Sequence, residues 1–411
     1  MNRSTLIFII FLGLLASLLG YNYFFHPFAD RSATDRSQII GTNELTPSPS
    51  PELLMQLTAR EQIVQLVAFP YLISAIESIQ PAESTQPAES TQSADSTQPA
   101  ESTQSASLDW IKTNQPAVVV LFGEKISTPS ALMSVNKINS AYPENTRPLI
   151  GVDHEGGSVQ RLSGAGFTRL PNWQTLCASS ALPRQELLKK SAQELAGIGV
   201  NIIFAPVIDV ASQSAVLGNR VCSARAETVV SRATELIDIF HNNQILPVIK
   251  HFPGIGGVEV DLHHNFATAK LVPDDILVFK ELLATYPNLG VMSTHVGVKG
   301  LYEDVPCSLN PDCMGDLRDF FPEALVFSDA LDMDSAGYRK DAEELISFSQ
   351  RAINALLAGN DVLIFGPKVT PAEIEEIVAE LVRVYEVNPQ LQDRVQSSLA
   401  KLWLYKKSLQ P

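Results

Sequence analysis

The stretch Leu246-Pro-Val-Ile-Lys-His-Phe-Pro-Gly-Ile-Gly256 packs an unbroken apolar run against a polar, glycine-rich cluster. A run with no polar alternation is buried on both faces. It therefore reads as a strand of a parallel sheet covered by helices. Seven further runs of this kind occur along the chain: Ile63–Phe69, Ala117–Phe122, Leu149–Val152, Ile202–Ala205, Val291–Ser293, Leu325–Ser328 and Val362–Phe365. Helical patterns lie between them. Thr370-Pro371-Ala372-Glu373 is a capping box with proline at the first helical position, and Ile374, Ile377, Val378, Leu381, Val382 and Tyr385 come after it at helical spacing. A second pattern runs from Asp341 to Leu357 and stops at Gly359. Eight alternating units predict a closed (β/α)8 barrel of the TIM type over residues 52–411. Neither G-x-G-x-x-G nor a Walker loop comes after the first run, which argues against a nucleotide fold.

The chain has 411 residues, 45% of them hydrophobic, and a formal charge of -15. Such acidity leaves no basic face for phosphates, so a nucleic-acid function is excluded. From Ser4 to Ala29 there is no Asp, Glu, Lys or Arg. Leu6 to Phe25, at ~1.5 Å per residue, spans ~30 Å of hydrocarbon, and residues 1–29 read as a transmembrane anchor or a cleaved signal sequence. Arg3 before it and the aromatic cluster ending at Phe25 place the bulk of the chain outside the cytoplasm. Residues 30–51 form a polar linker. Pro81 to Gln104 is a hexapeptide written four times (PAESTQ, PAESTQ, SADSTQ, PAESTQ), which offers no large apolar group to bury; an insertion at about 81–107 is expected to stay solvated. In an exported chain Cys177 and Cys222, in loops on one face, could form a bridge or remain buried thiols.

In a barrel of this type the chemistry gathers at the C-terminal ends of the strands. There the sequence places DHEGGSVQRL (153–162), APVIDV (205–210), KHFPGIG (250–256) with Asp261-Leu262-His263-His264, His295, and Ser328-Asp329. The set DHEGGSVQRL with FTRLP, NIIFAPVIDV, LGNR, KHFPGIG with DLH, and LVFSDALDM resembles the strand-end motifs of glycoside hydrolase family 3, in its single-barrel β-N-acetylhexosaminidase branch. The resemblance runs in order over about residues 52–406, including a closing helix near Arg394–Lys407. It implies a retaining exo-glycosidase for terminal β-linked N-acetylglucosamine, with saccharides such as cell-wall fragments as partners and no cofactor. On that resemblance Asp329 is the nucleophile, His263 the acid/base and Asp261 its dyad partner. Asp153, Arg161, Arg220, Lys250 and His251 would hold the sugar hydroxyls. His264 is the local competitor of His263, while Glu155, Gln160 and His295 are read as structural neighbours.

Each role suits its chemistry. A carboxylate at Asp329 can stabilise an oxocarbenium-like transition state and then bond the anomeric carbon. An imidazole titrating near ~6.5 can donate a proton and take one back. Metal chemistry is not expected, since H-E-x-x-H and cysteine clusters are absent. The family pattern commonly has His, Ser and Asp where this chain has Ile255, Leu262 and Ala330, which makes the acid/base loop more apolar. After the eighth unit only one closing helix remains, with no room for the second α/β domain that supplies the acid in other branches. A β-glycosidase for another sugar and an inactive saccharide-binding barrel are the competing readings, and water or phosphate could accept the glycosyl group.

Overall fold

The computed structural model describes residues 56–73, 98–259, 261–340 and 344–409. Eight parallel strands carry the fold: β1 (Val67–Leu72), β2 (Val118–Phe122), β3 (Leu149–Val152), β4 (Ile202–Ile203), β5 (Leu246–Phe252), β6 (Gly290–Ser293), β7 (Leu325–Ser328) and β8 (Leu363–Ile364). They lie in the order β7-β6-β5-β4-β3-β2-β1-β8, each beside its sequence neighbour except where β8 joins β1. Sequential order with both ends brought together gives a nearly closed barrel. Its seam is a single parallel bridge between Phe327 and Val362, with Val362 N–H on Val326 O at 3.0 Å and Ser328 N–H on Val362 O at 2.9 Å. Phe204, just past β4, and Phe327 in β7 meet edge to face at 5.8 Å and fill the interior between strands that do not pair.

Among the described residues the helices of seven or more residues are α1 (Ala59–Gln65), α2 (Gln98–Asn114), α3 (Thr128–Ser140), α4 (Ala181–Gly197), α5 (Ala226–His241), α6 (Pro273–Thr285), α7 (Pro311–Phe320), α8 (Phe348–Ala358), α9 (Pro371–Tyr385) and α10 (Pro389–Ser408). The capping box of α9 forms as its sequence predicts, and its stripe Ile374, Ile377, Val378 and Leu381 is buried. Buried Asp361 ties the seam to the outer helices. It accepts from Val326 N–H at 2.9 Å and Ser398 Oγ at 2.8 Å, and pairs with Arg318 of α7 and Arg394 of α10.

Three expectations need correction. The run Ile63–Phe69 is not one strand: Thr58 and Glu61 form a capping box that starts α1, and the strand begins only at Val67. A box three residues wide overrides the β preference of Ile63 and Val64. The insertion is not solvated throughout. Its fourth copy, Pro99–Gln104, lies inside α2, and the Gln104 amide donates to Leu72 O at 3.1 Å. Trp110 of that helix stacks on Phe69 at 4.7 Å, and Ala, Glu and Gln are strong enough helix formers to carry the helix back through the repeat. The pattern from Asp341 becomes a shorter helix, because the Ser347 hydroxyl accepts from Gln350 N–H and caps α8 there. Gly359, at φ 129°, ends it.

Cys177 and Cys222 are bridged, and so are Cys307 and Cys313, a pair that the residue pattern alone does not join. No helix among the described residues is long and apolar enough to cross a membrane. The apolar run Leu6–Phe25, the linker and the first three hexapeptide copies up to residue 97 lie outside the described residues.

Candidate active site

The segment DHEGGSVQR folds as a hairpin, with His154–Gly156 antiparallel to Val159–Gln160. Gly156 and Gly157 turn it at φ 93° and 60°, a backbone that disfavours side chains, and a Cβ at 156 would stand 2.3 Å from Pro171 O. The turn sets the hairpin's two ends side by side. Arg161 N–H donates to Asp153 O at 3.2 Å, and its guanidinium reaches Asp153 Oδ2 at 3.2 Å. Arg161 Nε is buried without a partner in the protein, a donor left for something in the cavity.

Asp153 and Glu155 are two residues apart on an extended strand and so point to one side. Lys250, at the end of β5, spans them with Nζ 3.2 Å from Asp153 Oδ1 and 2.6 Å from Glu155 Oε1. Arg220 grips Glu155 with two bonds, Nε to Oε2 at 2.7 Å and Nη2 to Oε1 at 2.9 Å. Burial pushes the Glu155 carboxyl up, but Lys250 and Arg220 outweigh it and bring it down to about 2. Glu155 is thus the hub that orients both cations. Sequence reasoning makes it only a structural neighbour, although its i, i+2 spacing from Asp153 is the available signal.

His251 stands between two partners. Arg220 donates to its Nε2 at 3.4 Å, so Nδ1 carries the hydrogen and donates to Asp209 Oδ2 at 2.9 Å. Asp209 also accepts from the His251 and Ile255 amides, at 3.2 and 2.6 Å, and so fixes the start of the loop after β5. Asp209 is the other residue that sequence reasoning misses, embedded in a motif whose apolar run is its visible feature.

Asp329 comes directly after β7. Its N–H is held by Ser293 O at 2.9 Å, and its carboxylate accepts from Ala330 N–H at 2.8 Å and Thr294 Oγ1 at 3.5 Å. Burial raises its pKa, yet nearby His295 and His251, the Ala330 amide and the Lys250 ammonium together hold it below the usual carboxylate range. His295 beneath it is buried. Its Nε2 donates to Ala330 O at 3.0 Å, its Nδ1 stands 2.6 Å from Ser308 Oγ, and burial lowers its pKa while the Asp329 carboxylate opposes that. Gln160 is bonded wholly into the backbone of Leu162, Thr168 and Leu170, away from any chemistry.

On the loop after β5, the His263 Nδ1 donates to Asp261 Oδ1 at 2.7 Å and its own amide to the same oxygen at 2.9 Å. The amide and ring bonds from His263 depress the Asp261 carboxyl, so the imidazole is oriented by a carboxylate with Nε2 left over. Both side chains are exposed, whereas Leu262 between them and Ile255 are buried. These two apolar residues pack the loop down onto the core. His264 is exposed with Nδ1 4.0 Å from Asp334.

One cavity of about 170 Å³ is lined by Asp153, Arg161, Arg220, Lys250, His251, Asp261, His263 and Asp329 together, with Glu155. That is below the ~300–1,000 Å³ of pockets for drug-sized ligands and suits a single small ring. A floor of paired charges, an ionised carboxylate on one side and a carboxylate-oriented imidazole at the mouth can clamp vicinal hydroxyls and perform two-step displacement at an acetal carbon.

Comparison with known proteins agrees with this geometry. The description "Glycosyl hydrolase family 3 N terminal domain" matches residues 58–401. A beta-hexosaminidase of Actinobacillus succinogenes is 34% identical over 229 residues, 53% of this chain and 64% of that protein, so the match spans under two thirds of the relative's length. One from Methylococcus capsulatus is 32% identical over 274 residues, 63% of this chain and 78% of that protein. The solved structure of Mycobacterium tuberculosis LpqI superposes with a TM-score of 0.69 at 21% identity, covering 88% of this chain and 97% of that one. At 21% identity it speaks for the fold alone. The chain belongs to glycosyl hydrolase family 3.

Proposed function

We propose that the protein is a retaining exo-acting β-N-acetylhexosaminidase that cleaves terminal N-acetylglucosamine-type residues. The observation that carries the reading is the single cavity joining an ionised Asp329 to the Asp261–His263 pair, in a family whose relatives bear the name beta-hexosaminidase. Asp153, Arg161, Lys250 and the Arg220–His251 pair hold the hydroxyls of one sugar ring. A carboxylate oxygen of Asp329 bonds the anomeric carbon as the C–O bond to the leaving group breaks, and His263 Nε2–H protonates the departing oxygen. In the second step His263 takes a proton from water, which displaces Asp329 and restores the anomeric configuration. Asp261 keeps Nδ1–H engaged throughout and favours the imidazolium.

Asp329→Ala removes the covalent step without removing apolar core. Turnover is expected to fall below a few per cent of wild type with the melting temperature preserved; substantial residual rate would move the nucleophile elsewhere. His263→Ala is expected to lose ~10²–10⁴-fold on an N-acetylglucosamine disaccharide and far less on a nitrophenyl glycoside, because nitrophenolate departs without a proton. Equal losses on both substrates, or the same pattern at His264→Ala, would reassign the acid. A panel of nitrophenyl glycosides separates the competing readings: turnover of another sugar points to a different β-glycosidase, and binding without turnover to an inactive saccharide-binding barrel.

The same proposal places the barrel outside the cytoplasm, anchored or released by residues 1–29, with cell-wall fragments as substrate class. Its supports are the charge-free run of residues 4–29 and two disulfides, which persist in oxidising compartments.

A further inference from the structure

Asp261 and His263 bond to each other and stand 60% and 69% exposed, so their bond orients the imidazole within its loop but does not place the loop over the cavity. Placement comes from the loop's far end. Three residues past His263, the ring of Phe266 lies flat on Tyr338, with centroids 3.9 Å apart and planes 5° from parallel. On its other flank is Gly297, where a Cβ would stand 2.8 Å from Phe266 Cζ. The ring thus fills a slot that exists because residue 297 has no side chain. Backbone bonds close the same joint: Gly297 N–H to Ala267 O at 2.9 Å, Asp334 N–H to His263 O at 3.1 Å, and the pairing of Thr268–Ala269 with Gly297–Val298. The segment bearing Tyr338 is itself held from behind, since Lys340 N–H donates to Asp304 O at 3.2 Å and its ammonium pairs with Asp304 at 2.8 Å.

We propose that Tyr338 is a positioning residue for the reaction: clasping Phe266 against Gly297, it latches the acid/base loop to the segment after β7 and so fixes where His263 stands relative to Asp329. This rests on the reading of His263 as the acid. Tyr338 touches no reacting atom and acts through the loop. Asp329 and Tyr338 lie on the same strand-end segment, nine residues apart in sequence, so the latch references the acid to the element that carries the nucleophile.

The test is kcat/KM, which reports the glycosylation step, on an N-acetylglucosamine disaccharide and on a nitrophenyl N-acetylglucosaminide. Loss of placement by about an ångström costs on the order of 10²-fold, so Tyr338→Ala is expected to lose ~10–100-fold on the disaccharide and under ~3-fold on the aryl glycoside. Tyr338→Phe, which keeps the stacked face, should retain both rates. Gly297→Ala, which strikes Phe266 from the opposite side, should reproduce the split. If Tyr338→Ala fails to fold, Phe266→Leu carries the same comparison. Equal losses on both substrates, or no loss, overturn the latch. His263→Ala run alongside separates the failures: a split there without one at Tyr338 sinks the latch alone, and no split there sinks both.

Discussion

Glu155 shows how a single residue can decide a site without touching the reacting bond. It is buried against two cations: Arg220, which it holds with both carboxylate oxygens, and Lys250, which it shares with Asp153. Removing one partner of a buried ion pair costs ~3–5 kcal/mol, so Glu155→Gln is expected to lower the melting temperature by several degrees and to raise KM more than it lowers kcat. Calorimetry with steady-state kinetics checks this; a stable variant with unchanged KM would show that Lys250 and Arg220 hold their places without it. Asp275 is a second case. It accepts Val210 N–H at 2.7 Å, while burial and neighbouring Asp209 push its carboxyl up to about 8. Between the ordinary 3.8 and about 8 the folded protein keeps a proton that the unfolded chain has released, so stability falls as pH rises through that window and levels off above it. Asp275→Asn keeps the acceptor and has no proton to lose. Its melting temperature should vary less between about pH 5 and about pH 8.5 than that of wild type, and an unchanged slope would place the titration elsewhere.

At the scale of elements, the strand runs were legible because a parallel strand buried on both faces has no other signature, and β2, β3, β6 and β7 fall within a residue of their apolar runs. Local competition was not legible. Thr58 and Glu61 turn half of an apolar run into helix, and Ser347 delays α8 past Asp341. The repeat is the sharpest example, since its fourth copy takes helix from the segment next to it, whose Trp110 docks on Phe69. Replacing Pro99–Gln104 by a Gly/Ser hexapeptide removes helix formers worth up to ~1 kcal/mol each and the Gln104 bond to Leu72, and is expected to lower the melting temperature by about 2–3 °C. The same replacement of Pro87–Gln92 should leave it unchanged, as composition alone predicts. Equal drops from both would mean that the earlier copy packs on the barrel as well.

At the scale of the molecule, the candidate site was legible as residue types at strand ends, because barrel topology brings those ends to one face whatever lies between them. Its supporting shell was not, because Asp209, Glu155 and Tyr338 act through partners distant in sequence. The disulfides belong to this scale too. Cys177–Cys222 spans 45 residues and fastens the loop just past Arg220 to the helix Trp173–Ala178, whose Trp173 indole donates to Val207 O at 2.9 Å. In the chain-entropy picture such a span is worth about 4 kcal/mol, and the six-residue span of Cys307–Cys313 about 2 kcal/mol. Together, at about 6 kcal/mol, these match the lower end of the ~5–15 kcal/mol by which domains are stable. With an unfolding entropy of ~2.1 cal/mol/K per residue, the double variant Cys177→Ala/Cys222→Ala is expected to melt about 5 °C below wild type. Its KM should rise, since the strap beside Arg220 is gone. Added reductant should lower wild type by about 8 °C and this variant by only about 3 °C. Wild type that ignores reductant would show that the thiols are not joined in solution, and equal shifts in both proteins would show that the long strap contributes nothing.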